Sequence, residues 1–360
     1  MNDLYVLNSS NFSIEGVIDT YVSCIWRPSY SDIGDFELYL GASKEILDLL
    51  KINRYLVRTS DISVDAQGKS TYQKVMIIKN IELITDVENG DFLSITGREL
   101  KYLLHQRIIW EQTNLTDTAE NAIRTLVTEN AIQPTDTNRV IPNLVLGASA
   151  GLTDSIEKQV TGEYLDETII QICTTYSYGF DMYIYNGYLV LIVYTGLDRS
   201  YDQTDRPYVV FSDDFENLYN TDYQIQTEEY ANCTLVGGEG EGIERTYITV
   251  NSELSGLNRY ETFTDARDIS QNKDSEDEIP LQQYLQLLQE RGRENLAEFQ
   301  YTEGFSGEVL DMAFKYGTDF DLGDIVTVIN SYGISKNVRV LSAIESEDAT
   351  GTKLLPQFNI

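Results

Sequence analysis

The chain holds 360 residues, 58 acidic against 26 basic, for a formal net charge of −32 at pH 7. Such a length supports two or three packed units, and such a charge excludes a surface built to grip nucleic acid, which needs clustered Lys and Arg. Cys24, Cys173 and Cys233 lie too far apart for a metal-ligand spacing and predict buried thiols in a chain assembled in a reducing cytoplasm. The opening MNDLYVLNSS lacks the basic and apolar segments of a signal peptide, and no apolar run approaches the roughly 20 residues of a spanning helix, so a soluble chain with no membrane span is expected.

Residues 1–98 read as mostly β, with strands predicted over 4–6, 17–26, 36–40, 55–59, 72–86 and 92–97. The stretch 17–26 alternates with apolar groups on both faces, which predicts a strand covered on both sides. It breaks at Arg27-Pro28, because Pro has no amide for a ladder, and Ile33-Gly34-Asp35 reads as a turn. Asn89-Gly90 is a two-residue hairpin signal. Residues 46–50 make a helical turn at most, and the polar 61–70 is a hairpin loop or an excursion toward a neighbouring subunit.

From Arg98 the period becomes helical, with Leu100, Leu103, Leu104 and Ile108 in step. A second helix is predicted from a cap at Thr116 or Asp117, with Ala119, Ala122, Ile123, Leu126 and Val127 on one stripe. Residues 133–154 carry Pro134, Pro142, Gly147 and Gly151 and read as an irregular link or short strands. A third helix over 164–176 precedes a hairpin, 180–185 and 188–194, whose Asn186-Gly187 suits a type I′ turn. Strands resume at Tyr208, over 219–237, 243–250, 301–316, 325–329 and 338–345. The acidic Asp274, Glu276, Asp277 and Glu278 lead into a helix over 280–299 with Pro280 in its first turn and Gly292 as a weak point.

Three motif blocks then carry a resemblance. The first is Asp19, Tyr21, Ser23, Trp26, Arg27, Tyr30, Gly34, Phe36, Glu37 and Leu38. The second is Gly97 to Leu100 with Arg98 and then Arg107. The third is Gly196 to Ser200 with Asp198 and Arg199, followed by Gln203, Pro207, Phe211, Asn217, Tyr223 and Asn232. In this order they resemble the siphophage tail-hub proteins, which are baseplate or tail-tip-associated, and Leu322-Gly323-Asp324 resembles the lead-in to one of that family's barrel strands. The resemblance implies a mainly β chain with α+β content: a first hub β-barrel over 1–98, an inserted α+β domain over 99–208, and a similar second β-barrel over 209–346. A helical excursion near 270–299 and a C-terminal tail over 347–360 complete that picture. It further implies a non-enzymatic homotrimer at the virion tail tip, or at the baseplate of a tail-like particle, that adapts a sixfold tube to threefold symmetry. Its partners would be the distal tail protein, the tail tube protein, the tape-measure protein, and central spike or receptor-binding proteins. Under this reading the acidity serves either plain solubility or an acidic lumen through which DNA passes without sticking.

No residue set reads as catalytic, cofactor-binding or metal-binding. His105, the single histidine, sits in an apolar helix, and no Gly-x-Ser-x-Gly elbow accompanies it. Asp198, Asp202 and Asp205 around Arg199 and Arg206 read as ion-pair partners rather than a glycosidase pair. Asp319, Asp321 and Asp324 lack the spacing of a calcium loop. The run from Gly237 to Gly242 lacks the Lys-Ser/Thr of a phosphate cradle and carries glutamates that would repel phosphate. The 25 tyrosines against 2 tryptophans suit either interfaces or simple sheet preference. Two other functions stay open: a receptor- or carbohydrate-binding tail-tip protein, for which a long C-terminal extension beyond Ile360 is the expected and missing mark, and a cell-wall hydrolase, whose mark is cleavage lost on mutating Asp198 or His105.

Overall fold

The computed structural model describes residues 2–87, 90–273, 278–300, 302–309 and 314–359. The chain opens with β1 (Leu4–Leu7), β2 (Ile14–Ile18), β3 (Ser23–Arg27), β4 (Asp35–Gly41), α1 (Lys44–Leu49), β5 (Tyr55–Arg58), β6 (Ile62–Val64), β7 (Ser70–Tyr72), β8 (Met76–Ile84) and β9 (Phe92–Glu99). A 3-10 turn over Leu100–Gln106 leads to β10 (Thr113–Thr118), α2 (Ala119–Val127), a π-helical turn (Thr128–Ile132), β11 (Leu144–Leu146), β12 (Ser155–Val160), α3 (Leu165–Tyr176), β13 (Gly179–Tyr185) and β14 (Tyr188–Tyr194). The rest comprises β15 (Val210–Ser212), β16 (Leu218–Gln226), β17 (Cys233–Gly237), β18 (Tyr247–Val250), β19 (Glu261–Asp265), α4 (Leu281–Glu298), β20 (Thr302–Val309), β21 (Ile325–Ile329), β22 (Ser335–Asp348) and β23 (Gly351–Asn359).

Local chemistry accounts for the helices and the clearest turn. Thr118 caps α2, its hydroxyl accepting from Asn121 N at 3.3 Å, and Ala122, Ile123 and Leu126 are buried on one stripe. The β13–β14 hairpin turns at Asn186 and Gly187, with φ of 49° and 83°, as a type I′ turn requires. Gly292 is a close-approach site in α4 rather than a weak point, since a Cβ there would lie 2.7 Å from methyls of Val236 and Val250. The predicted 17–26 strand is two, β2 and β3, separated at Asp19 to Val22. Asn89 and residues 274–277 lie outside the described residues, although β8 and β9 do pair antiparallel.

The expectation of twin β-barrels is overturned. Strands from both halves merge into one 13-stranded sheet, with the path β16-β20-β23-β22-β3-β4-β9-β8-β5-β1-β2 and with β15 and β21 attached beside β22. Its end strands, β16 and β2, do not meet, so among the described residues no barrel closes. The physical cause is β22, which is 14 residues long. It pairs with β21 near its start, with β23 along its other edge, and with β3 through Glu345↔Trp26 and Glu347↔Cys24. Residues 351–359, part of the expected tail over 347–360, form β23 inside this sheet, between β20 and β22. The fold class is therefore mixed, with one large open sheet, a five-stranded sheet β11-β14-β13-β7-β6, the pair β10-β12, and β18-β17-β19 packed on α4. The excursion over 61–70 thus reaches the chain's own middle sheet through β6 and β7.

Candidate functional site: a polar sheet face and the junction behind it

Eight neighbouring strands, β16-β20-β23-β22-β3-β4-β9-β8, have sharply different sides. Side chains alternate along each strand, so registered residues form rungs that alternate between the two faces. One rung runs Leu354, Glu345, Trp26, Phe36, Gly97 and Ile78, and the next toward the core runs Glu347, Cys24, Leu38, Ile95 and Ile81. Trp26, Phe36, Leu38 and Ile95 on these rungs are buried. Between them lies a rung of Lys353, Ser346, Ile25, Glu37, Thr96 and Asn80, followed by one of Asp348, Ser23, Tyr39, Ser94 and Glu82. On the other half, Asp222, Ser306 and Gln357 continue the open face. This face is polar, half-exposed to exposed, and carries Glu37, Glu82, Asp222, Glu308 and Asp348 against Lys353 and Arg98.

Both flanks of this face have an unpaired edge among the described residues. β16 pairs only with β20, and β8 pairs with β5 only at Met76 and Ile77, so Lys79 to Ile84 have no strand on their outer side.

Behind the open face, the motif residues converge on Tyr30. Its ring is buried, lies edge-on to Tyr194 at 5.3 Å and sits 5.7 Å beneath the Arg339 guanidinium. Its hydroxyl donates to Ser177 O at 3.0 Å. Gly179 and Gly323 press on the ring so closely that a Cβ would fall 2.1 Å and 2.2 Å from it. Gly323, with φ of 84°, also offers its carbonyl to Arg339 Nη1 at 2.6 Å. Asp324 accepts from Leu197 N at 2.7 Å and Arg199 Nε at 2.8 Å. Asp198 bridges to Ile325 and accepts from Ser200 N at 2.9 Å. The third block and Gly323-Asp324 therefore form one joint with Tyr30 of the first block, although the sequence places them far apart.

The remaining motif residues lie elsewhere in the fold. Asp19 is exposed after β2 and accepts from Thr20 Oγ1 at 3.2 Å. The Tyr21 hydroxyl lies 3.0 Å from Glu347 Oε2, and burial pushes its pKa up to about 12. Trp26 donates Nε1 to Lys74 O at 3.1 Å, with Arg58 5.4 Å above its ring. Arg27 pairs with Asp35 at 3.0 Å. Phe211 packs edge-on against Phe320 at 5.1 Å. Asn217 closes a turn, accepting from Ser212 N and donating to Val210 O.

Sequence reasoning missed the buried polar cluster beside Gly34. Glu99 Oε2 accepts from Gly34 N at 2.6 Å and lies 3.2 Å from Lys101 Nζ, which donates to Ser29 O at 2.6 Å. Burial raises the Glu99 pKa to about 7, Lys101 opposing and Asp181 adding to the rise. The signal was available: Leu93, Ile95, Gly97 and Glu99 share the inward face of one strand, so Glu99 had to be buried. His105 pairs with Asp166 at 3.0 Å and is stacked between Tyr102 and Tyr164. Among the described residues no cluster of His, Cys, Asp and Glu could hold a metal ion, and no helix is long and apolar enough to cross a membrane.

The chain is similar in fold to the tail protein from Neisseria meningitidis MC58, at 16% identity and a TM-score of 0.58, covering 100% of this chain and 96% of that one. It is also similar to the 43 kDa tail protein of prophage MuSo2 from Shewanella oneidensis, at 10% identity and a TM-score of 0.57, covering 99% and 98%. At such identities the likeness is one of fold. No curated protein matches the sequence. The family described as Siphovirus ReqiPepy6 Gp37-like protein matches over residues 3–358, nearly the whole chain that builds this sheet and joint, and the chain belongs to that family.

Proposed function

We propose that the chain is a non-enzymatic structural hub at the distal tip of a phage tail or phage-derived tail-like particle, assembled in the bacterial cytoplasm. Three copies form a ring, with the polar face of the eight-strand stretch turned to the lumen. The unpaired edge of β16 in one copy lies against the outer half of β8 in the next, a heterologous contact that closes by threefold rotation. In this reading the threefold ring is the piece that joins a sixfold tube to a threefold tip. The distal tail, tube and tape-measure proteins, with central spike or receptor-binding proteins below, are the partners this reading names.

The observation that carries the reading is the polar face bounded by two free edges. An exposed sheet of this width with unpaired ends is a template for pairing with another chain, and its acid excess keeps passing DNA from adhering. The experiment is sedimentation with light scattering on the wild type and on Gln224→Pro, because Pro is disfavoured in a strand paired on both sides, as β16 would be in the ring. A trimer in the wild type and a folded monomer in the variant are expected. A wild type that stays monomeric both alone and on tube ends would sink the ring.

A further inference from the structure

The two tryptophans have opposite surroundings. Trp26 is 1% exposed and Trp110 is 62% exposed, which leaves a large, flat, amphipathic ring at the surface, the kind of group that makes contacts which are apolar on one side and wet on the other. Trp110 walls a cavity of about 350 Å³ together with Gln112, Asn114, Glu129, Gln133 and Arg139. That volume falls at the low end of small-molecule sites, roughly 300–1,000 Å³.

The ring is held in place. Arg139 lies 4.7 Å from the indole centroid, and its Nη2 donates to Ile108 O at 2.5 Å and to Asn130 Oδ1 at 3.3 Å. Asn130 Oδ1 also accepts from Trp110 N at 3.2 Å, and its Nδ2 donates to Leu126 O at 3.0 Å. Glu129 and Asn130 sit in the π-helical turn, a widened turn that is frequent at functional sites. It tucks Asn130 into the protein and leaves Glu129 exposed beside the cavity.

The lining decides the ligand class. Side-chain amides donate and accept at once, and here they flank a single fixed aromatic plane. That pairing suits a ligand with hydroxyls around its rim and an apolar C–H face. A phosphate or nucleotide is disfavoured, because the one cation is already bound to a carbonyl and Glu111 and Glu129 stand beside it. An apolar peptide would find only one apolar surface. We propose that the Trp110 cleft binds a saccharide, a neutral or N-acetylated hexose unit of a glycan. The indole stacks on the sugar's C–H face, Gln112 and Gln133 take its hydroxyls, and Asn114, whose Oδ1 already accepts from Gln159 Nε2 at 2.9 Å, offers its amide N–H. The site lies outside the sheet face assigned to the lumen and does not depend on the ring.

The full chain is titrated with maltotriose, cellotriose and tri-N-acetylglucosamine, followed by tryptophan fluorescence and calorimetry. Because Trp26 is buried, a change in emission reports Trp110. At least one sugar is expected to give a saturable change. Gln133→Ala, an exposed position whose loss leaves the fold intact, weakens binding about tenfold, as loss of one hydrogen bond does, and Trp110→Ala abolishes it at unchanged thermal midpoint. A flat response to all three sugars, repeated on a glycan array, overturns the proposal. So does a wild type that takes no sugar while Trp110→Ala changes its sedimenting mass, which would make the cleft a contact between copies.

Discussion

At the residue scale, the joint around Tyr30 is where small changes should cost most. Gly323→Ala places a methyl 2.2 Å from the Tyr30 ring on a backbone with φ of 84°. A loss of roughly 2–4 kcal/mol is expected from overpacking and backbone strain together. Tyr30→Phe should cost only about 1 kcal/mol, the net worth of one hydrogen bond. Urea unfolding of the two variants checks this order. Glu99 gives a pH test. Its pKa is raised to about 7 when folded, above the carboxyl's ordinary value of 4.5, so its contribution to stability is fully present below about 4.5 and is lost as pH rises through about 7. Relative to Glu99→Gln, the wild type should therefore lose thermal stability between pH 5 and pH 8, and parallel midpoints for the two would refute the assignment. Why Tyr30 meets Gly179 and Gly323 was not legible in the sequence. The glycines announce a close approach, but no local pattern says what approaches them. Trp110 was equally silent, since an aromatic after two isoleucines reads as core.

At the scale of elements, α4 is fastened to the middle of the chain by buried charge. Lys158 of β12 pairs with Glu294 of α4, both nearly inaccessible, and donates to Gln171 Oε1 of α3 at 2.9 Å. Tyr176 of α3 donates to Glu290 Oε1 at 2.6 Å. Removing one partner of a buried pair strands the other, so Lys158→Met should destabilise by about 3–5 kcal/mol, while Lys158→Met with Glu294→Leu recovers most of the loss. A thermal denaturation series of the two single variants and the double variant tests that. Elements of this kind were the legible part. Helices α2, α3 and α4 and the β13–β14 hairpin follow from period and turn chemistry acting within a dozen residues. β23 was not legible, because Pro356 argues against a central strand. The structure tolerates it where the ladder to β20 skips from Ser306↔Gln357 to Val309↔Leu354.

For the whole molecule, alternation reveals which side chains share a face and leaves open which strand edges meet. Two β-rich halves were therefore readable, and their fusion into one sheet through β22 was not. The net charge of −32 bears on assembly at this scale. Bringing copies together opposes like charge, and screening weakens that opposition, so raising salt from about 50 to about 300 mM should strengthen the proposed trimer. Sedimentation across that range measures it, and weakening would mean that oppositely charged patches drive the contact.

The pairing of β3 with the end of β22, Ser23↔Asp348 through Trp26↔Glu345, has a consequence for biosynthesis. On a ribosome, β3 leaves the exit tunnel hundreds of residues before its partner does. Its outer edge stays bare throughout translation, and so distant a pairing closes slowly. A nascent chain in that state is open to misassociation, which makes the interval between initiation and release, rather than the finished protein, the period in which this molecule most needs a chaperone.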